Sequence, residues 1–200
     1  SIGFFTKPDQ AVICRGPMAS KALNQMIFDA NWGELDFLLI DLPPGTGDIH
    51  LSILQALPIT GSVIVSTPQN VALADAKKGV AMFKQDLINI PVLGIIENMS
   101  YFTPKELPEN KYYIFGKDGA KNLADDLKVP FIGCIPLIQS VREAGDFGRP
   151  VAMQEETIIS EELKKITQNI VSEVIKRNKD LPASEAIKIT TMAGCSAVNK

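Results

Sequence analysis

The chain has 200 residues, with 20 lysines and arginines against 23 aspartates and glutamates, for a formal net charge of −3. Hydrophobic residues make up 46%, which excludes a disordered chain, and the slight acidic excess excludes a general nucleic-acid binder, which needs a basic surface. Three cysteines are too few for a disulfide scaffold, and no apolar run approaches the roughly 18 residues of a membrane-spanning helix.

The chain opens Ser1-Ile2-Gly3-Phe4-Phe5, with neither an initiator Met nor a charged-then-apolar signal segment. Residues 17–30 read as a helix, with Pro17 in the first turn, a stripe of Leu23, Met26, Ile27 and Ala30, and Gly33 just beyond. Phe37-Leu38-Leu39-Ile40 is a short continuous apolar run, the signature of a strand buried on both faces. Residues 48–57 return to helical spacing, with Ile49, Leu51, Ile53, Leu54 and Leu57 on one broad face. Val63-Ile64-Val65 is a second strand. A helix over 71–87 places Val71, Ala74, Val80, Phe83 and Leu87 inward. Val92-Leu93-Gly94-Ile95-Ile96 is a third strand, followed by a polar, proline-bearing loop over 103–110. A helix over 116–127, a fourth strand at Phe131-Ile132-Gly133-Cys134-Ile135, and a helix over 161–178 with Leu163, Ile166, Ile170 and Val174 on one face complete the pattern. From Lys179 the chain turns polar and reads as a weakly ordered tail. Alternating strands and helices of this kind predict an α/β fold, a mostly parallel sheet with helices on both faces.

The stretch Asp41-Leu42-Pro43-Pro44-Gly45-Thr46-Gly47-Asp48 is the most informative. It puts a carboxylate at the carboxyl end of an apolar strand, where ligands sit in parallel α/β sheets. An Asp so placed holds Mg²⁺ in phosphoryl-transfer sites, directly or through water. Gly45 has no side chain, so its backbone N–H can approach a phosphate. Thr46 and Asp48 either cap the next helix or touch the metal's water shell. Asp41 as an ordinary turn residue is the competing reading, and the rare Pro-Pro-Gly-Thr-Gly-Asp run weighs against it.

From Trp32 to Asp48 the chain resembles the Mrp-type ATPases, deviant-Walker P-loop proteins that carry iron–sulfur clusters. The pattern is Trp, two residues, an aliphatic residue, Asp, four apolar residues, Asp, one residue, then Pro-Pro-Gly-Thr-Gly-Asp, and every position matches. Arg15-Gly16-Pro17-Met18, Ser66-Thr67-Pro68-Gln69, Glu97-Asn98-Met99-Ser100 and Gly133-Cys134-Ile135-Pro136 resemble further family blocks in the family's order. The resemblance implies that Asp41 organises Mg²⁺ through water, that Gly45 sits beside the γ-phosphate, and that Thr46 and Asp48 belong to the same site. It implies that Asn98 hydrogen-bonds adenine and that the Cys134–Leu137 turn, including Pro136, packs beside the base. Thr67, Pro68 and Gln69 would shape the same edge. ATP and Mg²⁺ are the implied cofactors, with a [4Fe–4S] cluster. A homodimer, iron–sulfur acceptor proteins and a cytoplasmic location are the implied setting, with no nucleic-acid or membrane partner.

Two departures from the pattern qualify these expectations. No Gly-x-x-x-x-Gly-Lys-Ser/Thr loop occurs in the chain, so the backbone cradle and lysine for the phosphates are missing. The expectation is the C-terminal part of a longer protein: residues 1–178 are a partial ATPase domain lacking its first strand and phosphate loop, and 179–200 a polar tail. On its own such a chain is expected to bind nucleotide weakly or not at all and to be inactive. The cluster-binding Cys-x-x-Cys is also missing, and its place holds Thr103-Pro104-Lys105-Glu106. Cys195 in the tail is then a candidate cluster ligand or a functionless thiol, Cys14 precedes Arg15, and Cys134 reads as a buried small hydrophobe. A nucleotide-switched scaffold without cluster chemistry is the alternative function. His50 reads as a surface residue, Lys77-Lys78 and Lys164-Lys165 as solvated helix faces, and Tyr101, Phe102, Tyr112, Tyr113 and Phe115 as packing for the polar loop rather than a partner surface.

Overall fold

A computed structural model describes residues 16–45, 47–104, 106–154 and 157–187. The chain divides into two compact units, Ser1–Pro58 with Glu185–Lys200, and Ile59–Ser184.

In the first unit, α1 (Gly16–Phe28) packs against α2 (Asp48–Ala56). The Ser20 and Ser52 hydroxyls lie 3.1 Å apart. The indole N–H of Trp32 donates to the Ile27 carbonyl at 2.8 Å, satisfying one of the acceptors that every helix leaves open at its C-terminus. The Ile187 N–H donates to the Leu54 carbonyl at 3.1 Å. The strand expected at 37–40 does not form. A strand is held by backbone pairing and by cover on its faces, and no strand pairs with this segment among the described residues. Phe37 is 56% and Leu39 88% exposed.

The second unit runs β1 (Ser62–Ser66), α3 (Asn70–Phe83), β2 (Val92–Phe102), α4 (Gly119–Leu127), β3 (Phe131–Leu137), α5 (Gln139–Asp146), a single 3-10 turn at Val151–Met153, and α6 (Ile158–Asp180). The strands form one sheet in the order β1-β2-β3, and both pairings are parallel. Ile95 and Ile96 are neighbours in β2, so they point to opposite faces. Ile95 joins Val80 of α3 and Ala120 and Ala124 of α4. Ile96 joins Ile132 of β3 and Ile166 of α6. Helices therefore cover both faces, as the alternation of segments predicts. Burying each isoleucine stabilises the fold by about 1.5–3 kcal/mol.

Sequence periodicity sets most boundaries within a few residues. The helix expected over 71–87 stops at Phe83, where Lys84 forms the C-cap. Leu73 packs inward in place of Val71 and Leu87, which are 79% and 62% exposed. The Lys84 ammonium donates to the Leu127 carbonyl at 2.8 Å, capping α4 from the end of α3. The segment 134–137, expected as a turn, is the last part of β3. Helix α5 is absent from the sequence reading because it is polar, with Ala144 its one buried residue. Helix α6 starts on a capping box between Thr157 and Ser160 and reaches Asp180. Lys78, Lys164 and Lys165 pair with acids three residues before them on exposed faces.

Candidate functional site

Parallel strands end on one edge, and here that edge is built in register. Ser66 of β1 pairs with Glu97 of β2, and Glu97 with Cys134 of β3. The residues that follow, Thr67, Asn98 and Ile135-Pro136, form the carboxyl edge, where open α/β sheets take their ligands. Asn98 pairs with Ile135, yet Phe102 pairs with Leu137, so β2 holds two extra residues in a bulge. Met99 carries it at φ 53°, a left-handed conformation that costs a side chain about 1–2 kcal/mol. The Asn98 side chain accepts from the Met99 N–H at 2.9 Å. A backbone N–H only donates, so this bond identifies the amide oxygen, Oδ1. The Nδ2 end has no partner among the described residues.

Two buried side chains flank the bulge. Glu97, 2% exposed, accepts from the Ala120 N–H at 2.8 Å through Oε2. Burial pushes its carboxyl above the ordinary range, the Ala120 N–H pulls it back, and Asp118 pushes it up further. Ser100, also 2% exposed, donates to the Ile135 carbonyl at 3.2 Å. In the sequence both residues fall within the 97–100 motif without a role of their own. The available signal was a glutamate continuing the apolar run 92–96. Cys134, opposite Glu97, is half-buried, and burial followed by the Glu97 charge raises its thiol. Pro136 is buried within β3.

The first turn of α4 braces the same edge. A Cβ placed on Gly119 would meet the Pro68 carbonyl oxygen at 2.2 Å and Leu73 Cδ1 at 2.9 Å, so only glycine fits. Pro68 is buried, and the neighbouring Thr67 hydroxyl oxygen is buried without a hydrogen-bond partner among the described residues. Beyond β2 the chain turns back, and Phe102 and Tyr112 exchange two backbone bonds of 2.8 Å. Lys111 and Lys117 lie over the rings of Tyr101 and Tyr113, 4.2 and 5.1 Å from their centres. Phe102 and Tyr112 thus hold the loop down, as expected, while Tyr112 and Tyr113 stay 46% and 40% exposed.

Asp41, Gly45 and Asp48 belong to the first unit, and Asn98 and Pro136 to the second. Asp41 is exposed after the unpaired 37–40 segment. Gly45 adopts φ 95°, open to glycine, and nothing lies within 4 Å of where its Cβ would stand. The N-cap of α2 is Gly47, and Asp48 is its first helical residue rather than its cap. Thr46, Cys14 and Cys195 lie outside the described residues. His50 is not a surface residue: it is 4% exposed, because it shares the buried face of α2 with Ile53 and Leu54 at i+3 and i+4. Among the described residues no group of three or more His, Cys, Asp or Glu side chains is placed to hold a metal ion.

A model of the ParA group, described as NUBPL iron-transfer P-loop NTPase, matches residues 1–174. The chain belongs to this family. It is 46% identical over 175 residues to an iron–sulfur cluster carrier protein of Synechocystis, a match covering 87% of the chain and 49% of that protein. It is 44% identical over 182 residues to the mouse iron–sulfur cluster transfer protein NUBPL, covering 91% of the chain and 55% of that protein. The chain thus spans about half the length of these NUBPL-family relatives. A nucleotide-binding protein of Archaeoglobus fulgidus, solved in complex with ADP, superposes with a TM-score of 0.58 at 41% identity, over 65% of this chain and 52% of that one. The cell-division ATPase MinD of Pyrococcus furiosus shares the fold, with a TM-score of 0.55 at 21% identity over 78% of this chain and 59% of its own. Among the described residues no helix is long and apolar enough to cross a membrane.

Proposed function

We propose that this NUBPL-family protein is an ATP-hydrolysing carrier that loads and releases iron–sulfur clusters, with the cluster as cargo. The observation that carries the reading is the anchored amide of Asn98 at the carboxyl edge of a parallel sheet. Its oxygen is fixed by Met99 and its Nδ2 is free to donate, the pair of groups that an adenine edge takes through N6–H and N7. The ADP bound by the archaeal relative supports the same ligand class.

In this reading Asn98 recognises the base, and the 134–137 segment with Pro136 packs beside it. The Thr67 hydroxyl stands at that edge, buried and without a partner among the described residues. Asp41 is an exposed hard oxygen donor, which suits a water-bridged Mg²⁺ better than direct chelation. Gly45 presents its backbone N–H to the γ-phosphate, and Thr46 and Asp48 complete the loop. Bound Mg²⁺ would supply charge neutralisation at the phosphates. The protein works as a homodimer that passes its cluster to acceptor proteins. A reducing compartment such as the cytoplasm suits the free Cys134 thiol. The chain alone, without the P-loop, is inactive. Asp41→Asn in the full-length protein tests the assignment: hydrolysis is expected to fall by about a hundredfold or more, the scale of losing one electrostatic group at a phosphoryl-transfer centre. A rate equal to wild type rejects the Mg²⁺ role.

Thr103-Pro104-Lys105-Glu106, in the place of the Cys-x-x-Cys, favours a second reading: a nucleotide-switched scaffold without a cluster. Anaerobic reconstitution of the full-length protein with iron and sulfide separates the two. Thiolate-to-iron absorption supports the carrier, and a colourless protein supports the scaffold.

A further inference from the structure

We propose that Glu97 and Ser100 are positioning residues that hold the Asn98–Met99 bulge in the arrangement that discriminates adenine from guanine. This rests on the reading of Asn98 as the base-recognising residue.

Both side chains are 2% exposed, so neither reaches a ligand. Each is spent on a neighbouring element. Glu97 ties the residue before the bulge to the Ala120 N–H of α4, and Ser100 ties the residue after it to the Ile135 carbonyl of β3. Between them Met99 is held left-handed at φ 53°, a conformation that a free strand would abandon. The Met99 N–H, in the peptide unit between Asn98 and the bulge, donates to Asn98 Oδ1 at 2.9 Å. The amide oxygen is thereby assigned to one side and the Nδ2 donor to the other.

Base choice follows from this fixed polarity. Adenine presents a donor, N6–H, beside an acceptor, N7, and matches an acceptor–donor pair. Guanine presents two acceptors, O6 and N7, and sets one of them against the amide oxygen. If the bulge relaxes, the amide leaves the base edge: adenine loses both of its matches and guanine loses its acceptor-against-oxygen clash. Loss of either brace therefore lowers selectivity between bases rather than merely weakening the fold.

The test is the ratio of ATP to GTP affinity in the full-length protein, measured with fluorescent analogues of both. Glu97→Ala and Ser100→Ala are each expected to cut the ATP preference by about fivefold or more, the lower end of what a bidentate base contact contributes. Glu97→Gln, which keeps an oxygen acceptor for the Ala120 N–H, is expected to retain most of it. A merely structural role would lower the melting temperature and leave the ratio alone. If Glu97→Ala fails to fold, Ser100→Ala and Glu97→Gln decide. A wild-type ratio in Ser100→Ala, with Asn98→Ala losing selectivity, overturns the positioning role alone. A wild-type ratio in Asn98→Ala overturns the base-recognition reading, and this proposal with it.

Discussion

The Glu97 carboxylate accepts a 2.8 Å hydrogen bond from the Ala120 N–H, tying the middle of β2 to the first turn of α4. The positive end of a helix dipole favours an ionised carboxylate there. Burial disfavours it, and burial wins: the carboxyl titrates above its ordinary value of 4.5.

The consequence for stability has a definite sign. A carboxyl raised in the folded state binds its proton more tightly there than in the unfolded chain. Stability then falls as pH rises from about 4.5 until the folded-state carboxyl ionises, and the loss stays constant above that point. Glu97→Gln removes this slope. Urea denaturation across that pH window should show wild type losing stability relative to Glu97→Gln as pH rises. Parallel curves would refute the assignment.

Gly119→Ala is expected to be strongly damaging to the second unit. The new Cβ would stand 2.2 Å from a backbone carbonyl, which cannot swing aside as a side chain can. A cost at or above the usual ~1–3 kcal/mol of overpacking follows. Thermal melting of the variant checks it, and an unchanged midpoint would mean that the Pro68 loop moves freely.

Gly45→Ala separates conformational cost from chemistry. Nothing crowds the site, so the cost to stability is the backbone's alone, about 1 kcal/mol for φ 95°. The loss of hydrolysis in the full-length protein should be disproportionately larger, because the added methyl obstructs the approach of a phosphate. Equal, small effects on both would remove Gly45 from the site.

Much of this was legible in the sequence. The apolar runs at 63–65, 92–96 and 131–135 are strands because each is short, rich in β-branched residues and paired with a neighbour in the sheet. The run at 37–40 has the same local signal and fails, because a strand exists only where a partner takes its backbone hydrogen bonds. The 97–100 motif marks Asn98 in the sequence. It does not mark the anchoring of that residue, since the braces depend on Ala120 and Ile135, more than twenty residues away in the chain. His50 was misread because a lone polar residue says nothing about which face of a short helix is covered.

Cys134→Ser should leave cluster loading of the full-length protein unchanged. The thiol is half-buried, and burial raises it above its ordinary 9.0, so it stays protonated near neutrality and makes a poor ligand. Loss of the iron–thiolate absorption in this variant alone would return Cys134 to the candidates.

The parallel sheet also governs how the second unit assembles. Ser62 pairs with Val92, and Ile95 with Phe131, so every strand contact spans a complete helical crossover. No pair of strands can form a local hairpin nucleus, and loop-closure entropy must be overcome before any ladder bond is gained. Folding of this unit should accordingly be slow for its size.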